Sequence, residues 1–154
     1  MRESDRAKRL RKPLPDLEPV LDAARRARAN AYAPYSGYRV GAALVTGGGR
    51  VYAGCNVENA SFGATLCAER SAVAAMIAAG DSDPVACVLV TAGPRPALPC
   101  GICRQVLAEF AIDLRLVLAA EDDKGRIVRR SSARLSALLP HAFRLIRKGA
   151  SAKR

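Results

Sequence analysis

Five cysteines, Cys55, Cys67, Cys87, Cys100 and Cys103, carry the side chains of this sequence best suited to grip a metal. Cys100 and Cys103 are separated by two residues directly after Pro99, where a helix is expected to begin. Three residues is nearly one helical turn, so both sulfurs can face one point. A helix N-terminus favours anionic sulfur, because unpaired backbone N–H groups point there. Cys67 likewise opens an expected helix. Two helix starts can therefore bring three thiolates to one centre, the donor set of a zinc site with Zn–S bonds of about 2.3 Å. Cys87, among Ala86, Val88 and Leu89, reads as a small core residue, and Cys55 at a strand end reads the same way.

Taken alone, Cys-x-x-Cys also fits a redox pair, half of a structural zinc site, or coincidence. A structural site would need a fourth ligand from Cys55, Cys87 or the sole histidine, His141, and none has the paired spacing usual for one. Three ligands with an open fourth position are what a catalytic zinc needs, because that position holds water. Glu69, two places after Cys67, is close enough to exchange a proton with such a water. On its own, Glu69-Arg70 would be an ordinary charged helix start.

The elements that must position these residues follow from periodicity and punctuation. Helical spacing runs from Leu17 to Ala31, with Val20, Leu21, Ala24, Ala27 and Ala31 on one side. Pro34 and Gly37 break it. Val40–Thr46 and Arg50–Val57, joined by three glycines, predict a β-hairpin. A polar loop over 56–65 precedes a helix over 66–79, stopped by Gly80. Val85–Thr91 predicts a buried strand, 93–99 a loop, Cys100–Phe110 a helix and Leu114–Ala120 a strand. A turn is expected from Glu121 to Gly125, after which Ile127-Val128 pairs briefly before a short end. Strands alternating with helices predict crossovers and an α/β sheet covered by helices on both faces.

The 154 residues suit one domain, half hydrophobic and a quarter charged. No apolar run approaches the roughly 20 residues of a membrane helix. The first dozen residues are charged and carry no signal-like stretch, so the expectation is a cytoplasmic protein. The net charge of +11 is concentrated at the ends: residues 1–12 contribute +4 and 144–154 contribute +5. Residues 1–15 and 144–154 are expected to be basic tails flanking a catalytic domain over 16–143. Such tails could meet nucleic acid, although a solubilising role is the simpler reading.

Together, Cys67-Ala68-Glu69-Arg70 and Pro99-Cys100-Gly101-Ile102-Cys103-Arg104-Gln105, with 33 positions from Cys67 to Cys100, resemble the signature of the zinc-dependent cytidine deaminase family. With Cys rather than His at position 67, the chain is similar to the small-subunit, three-cysteine branch. The resemblance spans about Tyr32 to Phe143. It implies a three-layer α/β/α sandwich with a mixed central sheet, and one zinc per subunit on Cys67, Cys100 and Cys103. It further implies Glu69 as the proton carrier, with Arg70 and Gln105 behind the ligands; Arg104 is a weaker candidate for that neighbourhood.

For the substrate, Asn56-Val57-Glu58-Asn59-Ala60 matches the family's nucleoside-binding segment. The resemblance gives Asn56 and Glu58 to the ribose and Ala60 to the pyrimidine, with Asn59 and Ala68 also at the substrate. If this stretch is extended, Asn56 and Glu58 point the same way. Tyr38 stands where relatives have a stacking Phe, and Phe143 matches an aromatic that reaches a neighbouring subunit's site. The expected reaction is attack of hydroxide on C4 while Glu69 protonates N3, in a homotetramer acting on a pyrimidine nucleoside in salvage, with no membrane partner. An aminonucleoside-antibiotic deaminase of the blasticidin type, a nucleic-acid deaminase and a non-enzymatic zinc module are the alternatives.

Overall fold

The computed structural model describes residues 15–145, so all but the last residue of the expected basic leader over 1–15, and residues 146–154 of the basic tail, lie outside the described residues. Near-continuous apolar runs on three strands give the sheet two apolar faces, and helices cover both. Helix α1 (Glu18–Ala29) is followed by strands β1 (Val40–Thr46) and β2 (Val51–Cys55). A 3-10 turn (Phe62–Ala64) leads to α2 (Ala68–Ala78), then β3 (Pro84–Ala92), α3 (Gly101–Phe110), β4 (Arg115–Glu121), β5 (Ile127–Arg134) and α4 (Leu135–Leu138). The strand order is β2-β1-β3-β4-β5. Only β3 and β4 are parallel, as the crossover through α3 requires, so the sheet is mixed.

Strands β1, β3 and β4 each split their residues between two cores. Ala43 and Val45 of β1, with Ala86, Val88 and Val90 of β3, pack against Val20, Leu21 and Ala24 of α1. Ala42 and Leu44, with Cys87, Leu89, Leu116 and Leu118, pack against α2 and α3 through Ala72, Met76, Leu107 and Ala108. This is the expected three-layer α/β/α sandwich. Cys87 is a fully buried member of the second core, as its neighbours in sequence suggested. Glu121 closes the α1 side: it is 6% exposed at the end of β4, where the guanidinium groups of Arg25 and Arg28 pair with its carboxylate. The turn therefore begins at Asp122, one residue later than expected.

Two glycines set how closely the helices approach. A Cβ on Gly41 would lie 2.0 Å from the Ala24 carbonyl oxygen of α1, and one on Gly54 would lie 2.4 Å from the Ala72 amide nitrogen of α2. Both obstacles are backbone, so neither can step aside. Gly54→Ala is expected to lower stability by about 1–3 kcal/mol, since an overpacked contact must push α2 off the sheet. Urea denaturation measures this, and an unchanged midpoint with an unchanged slope would contradict it.

The chain after Ile127 differs from its expected brief pairing and short end. β5 is an eight-residue strand, antiparallel to β4 from Arg115↔Arg134 to Glu121↔Ile127. Its Arg129-Arg130-Ser131-Ser132 stretch is exposed and has no apolar alternation to read, because β5 is an edge strand held chiefly by its backbone ladder. The helix expected from Leu66 begins at Ala68, because Leu66 exchanges backbone hydrogen bonds of 2.9 Å in both directions with Val57. No helix among the described residues is long and apolar enough to cross a membrane.

Candidate metal centre

The late start of α2 makes Cys67 its N-cap residue, in extended conformation at φ −74° and ψ 153°. Cys100 caps α3 in the same way, at φ −66° and ψ 167°. A residue at this position lies just outside the first turn. Cys103 lies in the first turn of α3 and is fully buried, whereas Cys67 is half-buried and Cys100 exposed. All three sulfurs lie within 4.8 Å of one another, and Cys67 Sγ and Cys100 Sγ are 3.9 Å apart. Tetrahedral Zn–S bonds of about 2.3 Å place sulfurs roughly 3.8 Å apart, so this donor set fits zinc. Cys55 is half-buried and His141 exposed; neither belongs to the cluster.

The electrostatics favour anionic sulfur at the mouth of the site. The Cys67 thiol is pushed down to about 5, first by a hydrogen bond from Cys103, which outweighs burial, and then by the Arg70 guanidinium. Cys103 is pushed up correspondingly, because Cys67 holds its proton in place and burial disfavours its charge. Arg70 Nη2 donates to the Thr65 carbonyl at 2.5 Å and lies 3.9 Å from Cys67 Sγ. Ser71 Oγ donates to the Cys55 carbonyl at 2.8 Å and reaches the Cys67 carbonyl at 3.3 Å, so it ties the end of β2 to the start of α2.

Glu69 is 4% exposed. Burial pushes its carboxyl above the usual carboxylate range; the Cys67 charge adds to this, while its own backbone N–H and the Cys103 thiol oppose it. A buried carboxyl with a raised proton affinity beside three sulfurs is equipped to accept and return protons.

The remaining candidates fall into two groups. Asn56 and Glu58 both turn toward the segment 35–40, in line with the expected shared direction. Asn56 Oδ1 accepts from the Val40 amide at 2.8 Å and its Nδ2 donates to the Tyr38 carbonyl at 2.9 Å. Glu58 Oε2 accepts from the amides of Tyr35 and Ser36 at 2.9 and 3.2 Å, and its Oε1 from the Ser36 hydroxyl. Tyr38 is exposed, as are Asn59 and Ala60; Asn59 Oδ1 accepts from the Ser61 amide at 2.8 Å. Ala68 is fully buried in the α2 core.

Gln105 and Arg104 act on the chain around α3. Gln105 brackets the Phe143 backbone, its Nε2 donating to the carbonyl at 2.9 Å and its Oε1 accepting from the amide at 3.2 Å. Arg104 binds the Pro99 and Leu138 carbonyls at 2.8 and 3.1 Å, so it fixes the loop into Cys100 rather than the sulfurs. Sequence reasoning did not single out Ser36 or Ser71. A lone serine carries no signal until its partner, 22 or 16 residues away, is placed beside it.

Three cysteine sulfurs at two helix starts, beside a buried carboxyl on a mixed α/β sheet, form a donor set that could hold a metal ion. The family described as "Cytidine and deoxycytidylate deaminase zinc-binding region" matches residues 15–119. The chain is 43% identical over 130 residues to a cytidine deaminase of Halalkalibacterium halodurans, covering 83% of this chain and 94% of that protein. It is also 43% identical over 122 residues to a cytidine deaminase of Mycobacterium tuberculosis, covering 79% and 85% respectively. Its fold superposes on the crystal structure of cytidine deaminase from Burkholderia pseudomallei with a TM-score of 0.74 at 42% identity, covering 84% of this chain and all of that one. The chain belongs to the cytidine and deoxycytidylate deaminase family.

Proposed function

We propose that this protein deaminates cytidine and deoxycytidine by hydrolysis, releasing ammonia and giving uridine and deoxyuridine, with one zinc per subunit on Cys67, Cys100 and Cys103. The observation that carries the reading is the convergence of three sulfurs within 4.8 Å beside the buried Glu69. Zinc, when bound, supplies Lewis-acid activation of water. Glu69 takes a proton from the attacking water and gives it to N3 of the pyrimidine as C4 is attacked. It then carries the second proton to the departing amine, so one water is consumed and one ammonia leaves.

Asn56 and Glu58 bind the ribose in this reading. Both keep hydrogen-bonding capacity for it, since a carboxylate offers about four acceptor sites and an amide two donors. Glu58 already accepts three hydrogen bonds, and Asn56 donates one. Tyr38 stacks on the base, and Asn59, Ala60 and the Ala68 backbone border it. Incubation with cytidine tests the reading directly, as loss of pyrimidine absorbance with stoichiometric ammonia. A zinc-loaded chain that consumes neither nucleoside would refute it.

The same reading places the enzyme in cytoplasmic pyrimidine salvage as a homotetramer in which Phe143 reaches a neighbour's site. Tyr32, Tyr35, Phe62 and Phe143 are 57%, 55%, 75% and 69% exposed, and the rings of Tyr35 and Phe62 meet edge to face; these are exposed aromatic side chains that further subunits would cover. Light scattering at assay concentration should give four chains per particle. A fully active monomer would overturn the shared-site arrangement.

A further inference from the structure

We propose that Ser36 is the positioning residue that aims Glu58 at a sugar hydroxyl. This rests on the nucleoside reading above. Ser36 meets Glu58 through two groups: its amide donates to Oε2 at 3.2 Å, and its hydroxyl donates to Oε1. The Tyr35 amide supplies the third bond, to Oε2 at 2.9 Å. Three of about four acceptor sites on the carboxylate are therefore spent, and the one left open is on Oε1. The hydroxyl of Ser36 decides where that last site points, because the two backbone donors both grip the other oxygen.

The same hydroxyl accepts the Tyr38 amide at 3.0 Å, so one side chain joins the carboxylate to the backbone of the stacking residue. Tyr38 does not depend on it alone, since Asn56 independently holds the Tyr38 carbonyl and the Val40 amide. Removal of the hydroxyl should then disturb the sugar contact while leaving the base contact in place. The shift of the Glu58 carboxyl below its usual range, caused first by the Ser36 hydroxyl, agrees with this division.

The test compares cytidine with 2′,3′-dideoxycytidine, which lacks the hydroxyl that Glu58 would accept. Ser36→Ala is expected to raise KM for cytidine about tenfold, the effect of losing a charge-assisted hydrogen bond, with kcat within about twofold. The inhibition constant of 2′,3′-dideoxycytidine should change less than about twofold, and Ser36→Thr should restore cytidine binding. In a Glu58→Ala background, Ser36→Ala should add nothing further, because its effect passes through the carboxylate. Equal weakening of both nucleosides, no weakening of either, or a full additional loss in the Glu58→Ala background would overturn the assignment. If the wild-type chain turns over cytidine and these comparisons fail, Ser36 alone is refuted; a wild-type chain that turns over no cytidine overturns both readings.

Discussion

Glu69→Gln is expected to keep the metal and lose turnover by about 10²–10⁴-fold, the usual contribution of a positioned proton carrier. The variant preserves the volume of a side chain that is 4% exposed in the α2 core, so packing is retained. What disappears is the capacity to accept a proton and return it. Metal content by elemental analysis and kcat on cytidine, measured on one preparation, check the two halves. Near-normal turnover in a metal-loaded variant would remove Glu69 from the reaction.

A stability measurement on the metal-free chain separates this from unfolding. Burial raises the folded pKa of Glu69 above its unfolded value of 4.5. The folded state then binds more protons than the unfolded state, so this group costs stability as pH rises above about 4.5 toward its folded value. Glu69→Gln should match the parent at low pH and exceed it at neutral pH. A variant less stable at pH 7 would contradict the assigned direction.

Cys100→Ala should abolish stoichiometric zinc. A closed four-ligand site binds zinc with about 10–16 kcal/mol, or roughly 3–4 kcal/mol per ligand, so losing one thiolate weakens binding by about 10²–10³-fold. Cys100 is exposed and caps α3 from outside its first turn, so the substitution leaves the core intact. Cys55→Ala is the matched control: Cys55 stands outside the cluster and the variant should stay loaded. Zinc retained by Cys100→Ala, or lost from Cys55→Ala, would discard the ligand set.

The cysteine spacing, the helix starts that hold it and the apolar runs of β1, β3 and β4 are legible in the amino-acid sequence, because each is written in neighbouring residues. Helix and strand periods and a capping position depend on a few consecutive side chains. The family motifs added the metal and substrate assignments, which periodicity does not contain.

What the sequence hid depends on partners far along the chain. β5 lacks an apolar face, and only the ladder to β4 makes Arg129 to Ser132 a strand. Leu66 looked helical until Val57 took both of its backbone groups. Cys67 and Cys100 are 33 residues apart, yet their sulfurs lie 3.9 Å from each other, because α2 and α3 cover one face of the same sheet. Composition and local pattern determined which atoms this protein brings to its chemistry. The tertiary packing decided their distances and which hydrogen-bonding sites they still have open, since both are set by contacts between segments that no local window spans.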